Sequence, residues 1–486
     1  MERLPYNSET KREQPNPFLE QLESLPSDSA RLLSKIIAIT SSDFGSEQPK
    51  AQHTDLHPII MDYHTWNGLK EVLAILQREG MNEADLTGDE IVRPFRAGLE
   101  ECTELFNDLE QTPTTTKDVR KMIVDRIFAT THDISRKAIE EVFKATPLCK
   151  DIAYLSREIK RLMPRLERDA RLIWNPATQK LSKYIGKDAH ELLFKSRLLG
   201  IVPFETLRQL AKTEIHCAGA SAVAESVACL VATGATRINF WDNGRSAPSN
   251  LPRFPAWMGG IEQLGLSKSH LLQAVAYMYN PYGNYQGFDG LVIPNEAKRT
   301  SPEDITFETF ASTDIAMEVV HDPLVKTQIR LFMADNKPHT PLMFMADISD
   351  PIAAMEDPAQ GNHFHQDLTH EEVELMSTPN SLDPGHVLTS VYHMLRKEIS
   401  AENTMDFLAF RFGVVRFWSQ PPYAANASAD TVTREVLDFL QSREFPDHNL
   451  RSGETKRSFM PSLTPVQALT LRDITRQVFA FPTTQR

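Results

Sequence analysis

The sequence predicts an α/β fold organised around a mostly parallel sheet, and three observations carry that prediction. The stretch Thr213–Gly244 reads as strand, tight turn, helix and a second strand ending on an acidic residue. From there to about residue 350, short apolar segments alternate with helical ones at the spacing of crossover connections. The chain has 486 residues, 41% hydrophobic and 24% charged, which suits a globular protein of several domains.

Taken in order, residues 1–55 mix Pro, Ser, Glu and Gln around one amphipathic piece, Asp28–Ile39, and read as an extension and linker. Residues 56–185 are expected to form a helical domain. Its helical patterns fall at Trp66–Arg78, Phe95–Leu109 and Asp118–Lys144, the last with His132 and Asp133 inside it. A long charged helix is expected over Asp151–Ile173. Its basic run of Arg157, Lys160, Arg161 and Arg165 reads as a solvated face.

Residues 186–350 hold the predicted sheet. Lys180–Leu210 supplies helices leading into a first strand around Ile215 and Cys217. Ala222–Val231 is helical, Gly234 stops that helix, and Thr236–Trp241 is rich in strand formers. A helix over Lys268–Met278 is broken by Asn280-Pro281. Strands follow within Gly283–Val292, Thr313–Val320 and Pro341–Met345, with helices at Ser301–Phe310 and Leu324–Ala334. Residues 351–486 read as a mixed α/β region for substrate selection or an interface. Its helical candidates are Val387–Ile399, Thr431–Gln441 and Pro465–Val478.

A net charge of -13 tells against a nucleic-acid partner, because phosphate backbones need a basic surface. Cys102, Cys149, Cys217 and Cys229 are widely spaced and form no CxxC pair, which fits a reducing, cytoplasmic setting and no thiolate zinc site. No apolar run approaches membrane-spanning length, so no membrane partner is expected.

The chemistry concentrates where the first strand turns into the first helix. Gly219 stands in a turn of small residues, with Cys217, Ala220 and Ala222 where a GxGxxG fingerprint would be richer in glycine. Asp242 follows the second strand, where a carboxylate can accept from ribose hydroxyls. On this segment alone, a nucleotide site and an ordinary βαβ unit both remain open.

Residues from Phe194 to Asp350 resemble the E1-like, ThiF/MoeB/HesA-type adenylating family, with a Rossmann-like nucleotide-binding domain. The resemblance runs through FKSRLLGIVPFETLRQLAKTEIHCAGA and through WDNGRSAPSNLPRF, whose SNLPR matches the family's SNLxR stretch. It continues in LSKSHLLQAVAYMYNP and in MEVVHDPLVKTQIRLFMADNKPHTPLMFMADISD. It implies ATP as cofactor, bound at the Gly219–Ala220 turn, whose backbone N–H groups are expected to stay available to phosphate, with Asp242 holding ribose and Asn250, Arg253 and Lys268 gathering phosphates. Arg197 corresponds to the lead-helix arginine that reaches phosphates across a homodimer interface.

The family's magnesium-binding aspartate falls near Glu318, His321 and Asp322. Histidine is a poor ligand for so hard an ion, so Asp322 is the candidate for Mg2+. Lys326, on the next helix, is read either as phosphate-directed charge or as half of a surface ion pair. The implied activity is ATP-dependent adenylation of a carboxylate: a small molecule, a peptide or a protein C-terminus. No cysteine follows Cys229, so a cysteine thioester stage is not expected. The substituted turn leaves a second reading open, a nucleotide-binding scaffold with weakened catalysis. An NAD-dependent oxidoreductase explains Asp242 but neither SNLPR nor the lysine-led helix. His363, His365 and His370 form a further polar cluster whose capacity for metal stays undecided.

Overall fold

The computed structural model describes residues 56–62, 110–166, 168–175, 180–196, 200–254, 263–320, 323–346, 352–358, 422–445 and 464–478, with isolated positions 107 and 198. The expected pieces at Asp28–Ile39, Trp66–Arg78 and Val387–Ile399, and the histidine cluster at 363–370, lie outside them. The chain divides into two compact units, one built from residues 1–100 and 166–186, the other from 101–165 and 187–486.

The first unit contains a three-stranded antiparallel sheet of β1 (Ile59–Asp62), β2 (Arg171–Asn175) and β3 (Lys180–Tyr184), with β2 in the middle. Two expectations are corrected here. Lys180–Tyr184 is a strand rather than the start of a helix, and Ile173 lies in β2 rather than at the end of a long helix.

The second unit opens with helices α1 (Thr116–Thr130), α2 (Arg136–Ala145) and α3 (Leu148–Leu162). The single helical run expected over Asp118–Lys144 is two helices. Thr131 takes an extended backbone, and the Ser135 side chain accepts the Ala138 N–H at 3.2 Å to start a new N-terminus. His132 and Asp133 therefore sit in the break. α3 passes into a short 3₁₀ turn at Met163–Arg165, where Pro164 has no N–H to extend the helix. Val119, Ile139, Phe143 and Ala153 pack together here with Ile474 of the C-terminal helix.

Beyond α4 (Lys187–Ser196) and α5 (Phe204–Leu210) comes the main sheet. Its strands are β4 (Glu214–Ala218), β5 (Arg237–Trp241), β6 (Asn284–Phe288), β9 (Ile315–Glu318), β10 (Leu342–Ala346) and β11 (Ile352–Glu356). A separate parallel pair, β7 (Val292–Ile293) and β8 (Ile305–Thr306), lies between β6 and β9 in sequence. The spatial order is β11-β10-β9-β4-β5-β6, parallel throughout except for the β10–β11 pairing at one edge. In that order, chain direction across the sheet reverses between β4 and β9. This is a Rossmann-like, doubly wound sheet with its switch point beside the first strand.

Helices α6 (Ala224–Thr233), α7 (Lys268–Tyr279), α8 (Phe307–Ala311), α9 (Pro323–Asn336), α10 (Pro422–Ser442) and α11 (Pro465–Val478) follow, with short 3₁₀ helices at Pro248–Arg253 and Glu296–Lys298. The helix expected over Ser301–Phe310 is shortened to α8. The Asp304 carboxylate explains this, since it accepts the N–H groups of Leu291, Thr300 and Ser301 and holds that segment as a loop. Alternate strand residues face two cores, as a sheet covered on both sides requires. Ile215, Cys217, Ile238, Phe240 and Met317 join one core with α6, α7 and α10, while Ala316, Trp241 and Leu342 join the other with α8 and α9. Among the described residues no helix is long and apolar enough to cross a membrane.

Candidate functional site

At the carboxyl end of β4 the backbone must turn sharply into α6, and Gly219 makes that turn with φ +96°. Its N–H donates to Trp241 O at 2.8 Å, and the next strand closes against it from the other side. A Cβ at Gly219 would stand 2.9 Å from Val319 O. Glycine is thus required twice, for the left-handed backbone and for the close approach of β9. Crevices at such switch points are where doubly wound sheets bind ligands.

Asp242, just past β5, ties this turn to the following loop. Its Oδ2 accepts the Ala220 N–H at 2.8 Å and its Oδ1 accepts the Gly244 N–H at 2.7 Å. Each oxygen keeps a further lone pair for an outside donor. The arrangement also corrects an expectation about the turn. One of the N–H groups that a phosphate would have used, that of Ala220, is already held by Asp242.

Lys268 begins α7, and its backbone N–H donates to Gly244 O at 3.1 Å. A Cβ placed on Gly244 would meet Asp242 Oδ1 at 2.7 Å and Lys268 Nζ at 3.0 Å. Gly244 is therefore the gap across which the carboxylate and the ammonium face each other. Both charges are legible in the sequence, whereas the glycine between them is marked there only by its place two residues after the acid.

Asn250 is buried in the short 3₁₀ helix Pro248–Arg253. Its Oδ1 accepts the Ala247 N–H at 3.0 Å, closing that turn on itself. Arg253 ends the same turn, and Arg197, His321 and Asp322 lie outside the described residues. Two hydroxyl oxygens, Ser221 Oγ after the glycine turn and Ser246 Oγ after Asp242, are buried without a hydrogen-bond partner among the described residues. Both belong to the loops that close the switch point, and a polar ligand that reached them would remove that desolvation cost.

The strand-end acid is a different matter. Glu318 is fully buried, with Oε1 2.7 Å from Lys326 Nζ and Oε2 3.9 Å from Arg330 Nε. Lys326 Nζ also donates to Met345 O, and both cations lie over the Phe344 ring. Glu356 joins the network 3.9 Å from Arg330. Glu318 is consumed inside the fold, and Lys326 pairs with it in the interior rather than at the surface. Burial lowers the Lys326 pKa, while the Glu318 carboxylate works against that shift. Among the described residues no group of three His, Cys, Asp or Glu side chains stands ready to hold a metal.

Cys217 is buried with its Sγ 3.8 Å from Met317 Sδ, and burial pushes its thiol pKa well up. Burial also raises the Cys229 thiol pKa. Neither is an activated nucleophile. Asn280, read as the residue that ends a helix, does cap α7, and its Oδ1 accepts the Tyr282 N–H at 3.0 Å.

No protein-family model matches the chain, and no curated protein matches it. Among solved structures it is similar to E. coli MccB with ATP, at 13% identity over 54% of this chain and 64% of that chain, with a TM-score of 0.35. It is similar to E. coli MccB with AMPCPP and MccA at 12% identity, over 53% of this chain and 63% of that chain, with a TM-score of 0.35. TcdA (CsdL) shares 19% identity over 31% of this chain and 54% of that one, with a TM-score of 0.26. The match spans less than two thirds of each of those proteins. Likenesses this weak carry neither activity nor substrate. The fold rests on the strand order, and the functional reading rests on the residues at the switch point.

Proposed function

We propose that this protein is an E1-like adenylyltransferase that activates a carboxylate with ATP, without a cysteine thioester stage. The observation that carries the reading is the convergence of the Gly219 turn, the Asp242 carboxylate and the Lys268 ammonium at the sheet's switch point. In this reading Asp242 receives ribose hydroxyls through its remaining lone pairs. Because Asp242 holds the Ala220 N–H, phosphate charge falls to Lys268, Arg253 and Asn250, with Arg197 supplied across a homodimer interface. Magnesium would supply charge neutralisation on the phosphates, with Asp322 as its ligand.

The carboxylate of a small molecule, peptide or protein C-terminus attacks the α-phosphorus, and the bond to pyrophosphate breaks. A carboxylate is already ionised near neutral pH, so alignment and charge stabilisation matter more than a general base. Attack by an amine or thiol on the acyl adenylate would then release AMP.

Titration calorimetry with Mg-ATP, paired with carboxylate-dependent pyrophosphate exchange, tests this. Saturable binding weakened at least about tenfold by Asp242→Ala is expected. Absence of both ATP binding and exchange across a panel of carboxylates rejects it. One observation favours a second reading, a nucleotide-binding scaffold: the turn already has its own anion at the Ala220 N–H. Binding without exchange is the result that selects it. Tighter binding of NADH than of ATP would move the site to dinucleotide chemistry.

A further inference from the structure

At the other end of the main sheet, where β4, β9 and β10 begin, the second unit has a cleft of about 380 Å³. Its floor is apolar, made by the buried side chains of Ile315, Phe439 and Leu440. Its rim carries three groups able to bear positive charge, Lys212, His339 and Arg443, in a chain of net charge -13. The lining holds a single carboxylate, Asp314, and one of its oxygens already accepts the Glu214 N–H at 2.8 Å.

Arg443 is the residue that singles out this cleft. It follows α10 with φ +58°, the one positive φ outside glycine among the described residues. A helix commonly ends on such a residue, but glycine or asparagine usually fills the place because Cβ is disfavoured there. Here an arginine is kept, with its guanidinium 5.8 Å from the Phe439 ring centroid and donating to Gln209 Oε1 at 3.3 Å.

Cations near helix ends often serve only to satisfy terminal carbonyls. That does not account for these three. The side chains of Lys212 and His339 have no hydrogen-bond or ion-pair partner among the described residues, and Arg443 bonds a side-chain amide. The hydroxyls of Thr213, Thr313 and Thr340 all donate to backbone carbonyls, so they offer no proton to an anion. Recognition of negative charge is left to the cationic rim.

We infer that this cleft binds a small organic anion, its apolar body against Phe439 and Ile315 and its carboxylate or phosphate between Lys212 and Arg443. This goes beyond the adenylation reading and does not depend on it, since the cleft lies at the opposite strand ends from Gly219.

Calorimetric titration of the full chain with phenylacetate, phenyl phosphate and inorganic phosphate tests the inference. Saturable binding of one of the two aryl anions, tighter than that of inorganic phosphate, is expected, and which one binds identifies the anionic group. Arg443→Gly should weaken it at least about tenfold without lowering the melting temperature, because glycine suits the left-handed backbone better. Lys212→Gln should weaken it as well, and Asp242→Ala should leave it unchanged. No saturable binding of either aryl anion, unchanged affinity in both rim variants, or loss in Asp242→Ala would each overturn the assignment.

Discussion

Gly219 holds a left-handed backbone pressed against Val319 O, so its replacement acts on folding and ligand access together. Gly219→Val adds a β-branched side chain to both constraints and should cost about 3 kcal/mol or more, read as a fall in the denaturant midpoint. Cys217→Gly should differ in kind. Cys217 points into the core against Met317, away from the turn, so it should lower stability through a small cavity while sparing ATP affinity. Comparing ATP affinity in the two folded variants checks this, and equal losses would separate Gly219 from the ligand. Gly244 extends the argument, since Gly244→Ala would push a methyl between Asp242 and Lys268.

Elements were legible in the sequence where periodicity and punctuation agreed. β4, α6 with Gly234 at its C-cap, β5, α7 and α11 all stand close to where their patterns placed them. Two of the errors fell where a side chain competes for backbone groups: Ser135 starting a helix and Asp304 holding a loop are tertiary or capping choices that apolar periodicity does not record. The buried ion network was not legible for a similar reason, because Glu318, Lys326 and Arg330 meet only when β9, α9 and β10 are brought together. Removing one partner leaves an uncompensated charge, so Lys326→Met should cost about 3 kcal/mol by chemical denaturation, and adding Glu318→Gln should recover part of that loss.

Two buried titratable groups on α3 and α4 give the second unit a pH signature. Burial pushes the Asp151 carboxyl up to about 6, against the opposing hydrogen bond from the Phe204 backbone. The folded state therefore binds a proton more tightly than the unfolded chain, and this group subtracts stability as pH rises from about 4 to about 6. Burial lowers His190 to about 4, against the Asn280 hydrogen bond, so its contribution is lost as pH falls from about 6.5 towards 4. Asp151→Asn should stabilise the protein by about 2 kcal/mol at pH 7 and not at pH 3.5, measured by denaturant titration at each pH. An equal gain at both pH values would assign the effect to packing.

At the largest scale, the sheet that carries the switch point shares its core with α10. This helix lies far along the chain from the switch point, yet Val432, Val436, Leu437 and Leu440 are buried in the same core as Ile215, Phe240 and Met317. Glu435 also reaches across to the Met355 N–H of the antiparallel edge strand. Four such aliphatic side chains contribute about 6–12 kcal/mol of burial, as large as the net stability of an ordinary domain. Truncation after residue 421 should therefore abolish cooperative unfolding of the sheet rather than trim an accessory. Hydrogen exchange monitored at β4 and β5 reads this directly, since their amides should lose protection in the truncated chain. Retained protection there would make α10 an appendage and leave the sheet able to stand alone. The same truncation removes Phe439, Leu440 and Arg443, so the cleft at the strand starts depends on a helix that the sheet itself needs.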